Sequence, residues 1–155
     1  KKTAALFAAC TEAAAYSVGV SEEEVKLARL LGEYIGICFQ IKDDIFDYFD
    51  SKEIGKPTGN DMLEGKLTLP VLYALNRAND NQAAEIALKV KEGTATLAEI
   101  ARLIAFTKEN GGIEYAVRTM NAYQQKAFGL LASLPDSAIC VALRSYLDYV
   151  VDREK

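Results

Sequence analysis

An all-α fold is predicted by three features of the sequence. Only three prolines occur, Pro57, Pro70 and Pro135. Between the breakers, apolar residues recur at helical spacing. The alternating Val/Ile/Thr runs that would mark strands are almost wholly missing. A first helix is expected from about Thr3 to Ser17. Gly19 stops it, and Ser21 followed by Glu22, Glu23 and Glu24 supplies an N-cap and an acidic first turn for the next helix. That second helix is expected to run from near Ser21 to about Asp50, roughly 45 Å at the standard rise per residue. Ser51 to Gly65 reads as a long loop, with Gly55, Pro57, Gly59 and Gly65 as its turn formers. A third long helix follows from Thr68 or Leu69 to Ala78, with Pro70 tolerated in its first turn. Periodic segments at Gln82–Glu92, Leu97–Asn110, Gly112–Leu134 and Asp136–Arg153 complete the chain, broken by Asn110-Gly111 and Leu134-Pro135.

At 155 residues the chain has the size of one ordinary domain, and one core is expected. Half of its residues are hydrophobic and 26% are charged, which is neither a disordered nor a membrane composition. The net charge of −4 lacks the broad basic field of a nucleic-acid-binding protein, so no nucleic-acid partner is expected. No histidine is present, which removes imidazole bases, Ser-His and Cys-His nucleophile pairs, and zinc sites that use imidazole. Cys10, Cys38 and Cys140 are odd in number, widely spaced and set among apolar residues, so buried thiols in a reducing, cytoplasmic compartment are expected. No run is long and apolar enough for a transmembrane segment. The chain opens on Lys-Lys-Thr-Ala-Ala-Leu-Phe, inside a helical pattern, and is read as the C-terminal piece of a longer protein.

The chemistry is concentrated on the second helix. With Gln40 as reference on a helical wheel, Glu33, Gly36, Asp43, Asp44 and Asp47 all fall within about 60° of it. The rest of the circumference is almost entirely apolar, with Leu31, Ile35, Phe39, Ile41, Ile45 and Phe46 among its members. The helix is therefore expected to be buried, with its acids facing an open cleft. A solvated stripe normally supports its acids with Lys at i+4, whereas Asp43 is followed by Asp47, a like-charge pair that is mildly destabilising. Clustered carboxylates in a cleft also raise one another's pKa values unless a cation lies between them. A hard divalent cation resolves both problems, and oxygen ligands without His or Cys point to Mg2+, which takes one or two carboxylates and completes its shell with water and substrate phosphate. Lys56 and Lys66 flank the glycine-rich loop, and lysines suit phosphate as point charges, as Lys2 also does.

The joined runs Phe39-Gln40-Ile41-Lys42-Asp43-Asp44-Ile45-Phe46-Asp47, Gly55-Lys56-Pro57-Thr58-Gly59-Asn60-Asp61 and Glu64-Gly65-Lys66-Leu67-Thr68-Leu69-Pro70 resemble the trans-isoprenyl diphosphate synthases of the polyprenyl synthetase family. They are similar to that family's second aspartate-rich motif and the loop after it. Lys2-Thr3 resembles the family's Lys-Thr pair, and the tail with Arg153 is similar to family C-termini. The resemblance covers essentially the whole chain and is nearest in style to bacterial long-chain, octaprenyl-type synthases. It implies an isoprenoid synthase helical bundle, of which residues 1–155 form the C-terminal half, and Mg2+-dependent head-to-tail condensation of isopentenyl diphosphate with an allylic prenyl diphosphate. It assigns Asp43 to the metal and Asp44 and Asp47 to metal-bound water. Lys2, Lys56 and Lys66 go to the diphosphate, and Lys2, Thr3 and Gln40 to catalysis. No second Asp-Asp-x-x-Asp occurs in the chain, so the piece is expected to be inactive alone. The family's enzymes are homodimers, and self-association is expected. Two alternatives remain open at this point: another class I terpene synthase, or a noncatalytic helical interaction subunit whose acidic stripe is vestigial.

Overall fold

The computed structural model describes residues 2–49, 58–135 and 137–154. Among them are eight helices and no strand: α1 (Lys2–Ser17), α2 (Glu22–Phe46), α3 (Asn60–Leu63), α4 (Leu69–Ala78), α5 (Asn81–Glu92), α6 (Leu97–Glu109), α7 (Gly112–Ala132) and α8 (Ala138–Asp152). The all-α expectation holds, and α4 has its expected bounds. Two compact units result, one of Lys1–Lys42 with Thr119–Glu154, the other of Asp43–Arg118 with Lys155.

In the first unit α2 opens as expected. Ser21 Oγ accepts the Glu24 N–H at 3.3 Å, and Glu24 Oε2 accepts the Ser21 N–H at 2.9 Å, a reciprocal cap. The core here is built from Ala8, Leu31, Ile35, Cys38, Ile41, Met120, Ala127, Leu131, Leu147 and Val150, all buried. The two helices α1 and α2 approach backbone to backbone at two glycines. A Cβ on Gly36 would lie 2.6 Å from the Ala4 Cα, and one on Gly32 would lie 2.6 Å from the Phe7 carbonyl oxygen and collide with the Thr11 hydroxyl. Cys38 and Cys140 are buried as expected, but Cys10 is exposed. It belongs to the outer face of α1, where Ala5, Leu6, Ala9, Cys10, Ala13 and Tyr16 meet solvent without a charge among them. Burial pushes the Cys38 thiol up to about 11.

In the second unit Tyr48, Met62, Val71, Ala83, Ile86, Ala87, Val90, Ile100 and Leu103 form one cluster. Helix α6 packs against both α4 and α5. The helix ends are set by local chemistry. Asp80 accepts the Ala83 N–H at 2.9 Å to cap α5, and Thr96 with Glu99 forms a capping box on α6. Lys89 and the Thr96 N–H and hydroxyl hold the Glu99 carboxyl down to about 2.

Two boundaries differ from the expectation. Helix α2 ends at Phe46, not Asp50, because Tyr48 and Phe49 turn their amides to the carbonyls three residues back, those of Ile45 and Phe46. The stretch read as loop to Gly65 contains the four-residue helix α3. Smaller shifts follow the same chemistry. Ser133 and Leu134 close a turn onto Leu130 and Leu131, ending α7 at Ala132, and Ser137 caps α8, which begins at Ala138.

Candidate functional site

In the first unit the sequence-predicted residues Thr3 and Gln40 meet. The Thr3 hydroxyl donates to Gln40 Oε1 at 2.8 Å across 37 residues. Both are half-buried, and Lys2 beside them is exposed. The close α1–α2 crossing at Gly32 and Gly36 makes this contact possible, since any larger residue would hold the helices apart. The same crossing corrects the expectation of an open cleft along the whole stripe. Gly36 is buried under α1, and Glu33 stands with Arg29, Ala4 and Ala8 around a cavity of about 310 Å3.

One partner of Phe39, the residue before Gln40, was not paired with it from the sequence. The Arg153 guanidinium lies 4.0 Å from the Phe39 ring centroid, and its Nη2 donates to the Phe39 carbonyl at 3.2 Å. Phe39 in turn packs on Phe7 of α1, ring centroids 5.7 Å apart. Arg153, the two phenylalanines and the Thr3–Gln40 bond thus tie α1, α2 and the end of α8 together around Gln40. A partial signal existed, in that the tail containing Arg153 resembles family C-termini, but nothing local in the sequence pairs residues 114 positions apart. Burial and the Arg153 charge hold the Lys42 ammonium below the ordinary lysine range, with Asp152 and Glu154 opposing.

In the second unit the three aspartates have different surroundings. Asp43 and Asp47 are half-buried and Asp44 is buried, while Ile41 and Ile45 are buried and Phe39 and Phe46 half-buried. The apolar flanks are thus turned inward, as the wheel requires. Asp47 Oδ1 accepts the Asn60 N–H at 2.9 Å and Oδ2 accepts the Asp61 N–H at 3.0 Å. Lys66 Nζ lies 2.6 Å from Glu64 Oε2 and 3.5 Å from Asp61 Oδ1. The hydrogen bond and charge of Glu64, with Asp61 behind, raise its pKa. Burial pushes the Tyr48 hydroxyl up to about 12, with the Asp47 and Asp44 charges acting in the same direction. Lys56 and Asp50 lie outside the described residues.

Among the described residues no three His, Cys, Asp or Glu side chains converge to hold a metal by themselves. Adjacent carboxylates with no imidazole or thiolate suit a hard cation that keeps its waters and takes its remaining ligands from phosphate, and in this sense Asp43 and Asp44 fit Mg2+. No helix among the described residues is long and apolar enough to cross a membrane.

The eight helices of the described residues superpose on solved prenyl synthases, so the chain has the helical fold of the isoprenyl synthases. The profile of the Polyprenyl synthetase family matches residues 1–107, and the chain belongs to that family. It is 37% identical over 153 residues to octaprenyl diphosphate synthase of Haemophilus influenzae, covering 98% of this chain and 46% of that protein. It is 36% identical to heptaprenyl diphosphate synthase component 2 of Geobacillus stearothermophilus, over 99% of this chain and 47% of that one. The solved geranylgeranyl pyrophosphate synthase from Bacteroides thetaiotaomicron superposes with a TM-score of 0.94 at 77% identity, over 97% of this chain and 50% of that one. The chain spans about half the length of the curated relatives it matches.

Proposed function

We propose that this chain supplies the allylic-diphosphate side of a polyprenyl diphosphate synthase, a transferase of isoprenoid biosynthesis that condenses isopentenyl diphosphate with an allylic prenyl diphosphate head to tail. Residues 1–155 then make up the C-terminal half of one isoprenoid synthase domain. The observation that carries the reading is the Thr3–Gln40 hydrogen bond, which brings two motifs distant in sequence into one arrangement. In this reading the side-chain oxygens of the Thr3–Gln40 pair face positive charge on an allylic carbon. Asp43 would bind Mg2+ and Asp44 would hold metal-bound water, whereas the Asp47 carboxylate takes the Asn60 and Asp61 amides instead. Bound Mg2+ supplies charge neutralisation for the leaving diphosphate. Lys2, Lys56 and Lys66 take the negative charge that develops as the C–O bond breaks. Lys66 must exchange Glu64 and Asp61 for phosphate oxygens to do so. The absence of histidine is no obstacle, since released diphosphate can accept the proton.

The test is calorimetric titration of the chain with Mg2+ and inorganic diphosphate. Coupled binding is expected, each ligand tightening the other by tenfold or more. Independent binding, or none, would favour a structural subunit and overturn the reading.

The reading extends to a cytoplasmic homodimer. Its supports are the family resemblance, three cysteines with none paired in a disulfide, and the uncharged outer face of α1, since exposed apolar patches of several hundred Å2 seek cover. Sedimentation of the chain should give twice 16.9 kDa; a strict monomer at about millimolar concentration, near the weak end of measurable association, counts against the dimer.

A further inference from the structure

Asp47 completes the Asp-Asp-x-x-Asp spacing, and that spacing alone would give its carboxylate to metal-bound water. In the structure both of its oxygens have backbone partners. Oδ1 takes the Asn60 N–H at 2.9 Å and Oδ2 the Asp61 N–H at 3.0 Å, while the Asp47 carbonyl takes the Gly59 N–H at 2.8 Å. Three consecutive amides of the second arm of the loop are thereby bound to one residue of the first.

The reason lies in the start of α3. Its N-cap position is Gly59, in the left-handed region at φ 81° and with no side chain to accept the first helical amides. Those amides are orphan donors that need an acceptor. A carboxylate is the strongest one available, because its hydrogen bonds are charge-assisted and it lies at the positive end of the peptide dipoles. Asp47 thus performs from 13 residues away what Asp80 does for α5 from the N-cap itself. Helix α3 in turn sets Lys66. The Asp61 carbonyl accepts the Lys66 N–H at 2.8 Å, and the Asp61 and Glu64 carboxylates lie 3.5 and 2.6 Å from Lys66 Nζ.

We propose that Asp47 is a positioning residue, which caps α3 in place of Gly59 and through α3 holds Lys66 where a diphosphate meets it. The part concerning diphosphate rests on the function proposed above; the cap does not.

The test is backbone amide exchange on the metal-free 155-residue chain. In the wild type the Asn60 and Asp61 amides should exchange tenfold or more below coil rates. Asp47→Asn retains the shape but has one acceptor oxygen and no charge, and should speed exchange across residues 60–66 by about tenfold; Asp43→Asn should leave it unchanged. Coil-rate exchange of the two amides in the wild type overturns the proposal, a result that needs no variant to fold. Equal exchange in Asp47→Asn and wild type overturns it as well. In titrations with Mg2+ and inorganic diphosphate, Asp47→Asn and Lys66→Gln should weaken diphosphate binding non-additively, with the Mg2+ midpoint unmoved in Asp47→Asn. Additive losses together with a tenfold shift of that midpoint would make Asp47 a metal-side acid and sink the positioning role. If the wild-type chain takes no diphosphate, the functional reading fails, and the exchange rates still decide whether Asp47 is the cap.

Discussion

Asp43→Ala lowers kcat by on the order of 10² or more in a complete polyprenyl diphosphate synthase carrying this chain, the loss expected when preorganised charge stabilisation of a developing anion is removed. Asp43 is half-buried on α2, one residue from the buried Asp44, and under the function proposed above the substitution would leave a single carboxylate of that pair to hold Mg2+. Asp50→Ala is the control. Asp50 falls outside the Asp-Asp-x-x-Asp spacing, and its removal should change kcat little. Steady-state kinetics at saturating Mg2+ separates the two, and equal small effects would mean that the acidic stripe is a solvated face. On the 155-residue chain itself, Asp43→Ala should abolish the coupling between Mg2+ and diphosphate.

The second large effect is expected at the α1–α2 crossing. Gly32→Ala places a Cβ 2.6 Å from the Phe7 carbonyl oxygen, and Gly36→Ala places one 2.6 Å from the Ala4 Cα. Backbone atoms have no rotamer in which to escape, so each change must part the helices. The cost is about 1–3 kcal/mol, as for overpacked cores, or about 2–12 °C in Tm for a chain of this size. Parting α1 from α2 also lengthens the Thr3–Gln40 contact, so diphosphate binding should suffer even where the fold survives. Gly129→Ala on α7 has no atom within 4 Å of the new Cβ and should instead stabilise by about 0.5–1 kcal/mol, the difference in helix propensity. Thermal unfolding of the three variants decides the matter, and a stable Gly32→Ala would mean that the crossing is looser than its geometry.

What could be read from the sequence was whatever local chemistry encodes. Helix α4 was legible because Pro70 fits a first turn; in the structure Asn79, in the left-handed region at φ 50°, ends it. The cap at Ser21 was legible because both partners lie within three residues of each other. The burial of Ile41 and Ile45 followed from helical periodicity. Helix α3 was not legible, because the group that caps it sits on another element and its own cap is a glycine. For the same reason the end of α2 was placed at Asp50. The apolar pattern continues through the buried Tyr48, and only the amides show that the helix has already turned. The aspartate stripe was found, with Asp44 and Asp47 read alike as holding metal-bound water, whereas Asp44 is buried and the Asp47 carboxylate accepts two backbone amides. Gly36 counted as part of a cleft face, although lack of a side chain equally serves a close helix crossing, and periodicity cannot tell the two apart.

The division of the chain has a consequence for its synthesis. The unit of Asp43–Arg118 is contiguous in sequence, so its helices can pack as soon as they are made. The unit that holds Thr3, Gln40 and Arg153 is assembled from two separate segments, Lys1–Lys42 and Thr119–Glu154, and closing it spans the whole intervening segment. Loop closure of that length is slow, though its thermodynamic cost grows only logarithmically. During translation α1 and the first part of α2 can pair with each other, but the rest of their apolar surface must wait until α8 leaves the ribosome. Arg153 then closes onto Phe39, made 114 residues earlier. Ribosome stalling or premature termination before α8 would leave the nascent first helices dependent on chaperones while the central segment is already folded.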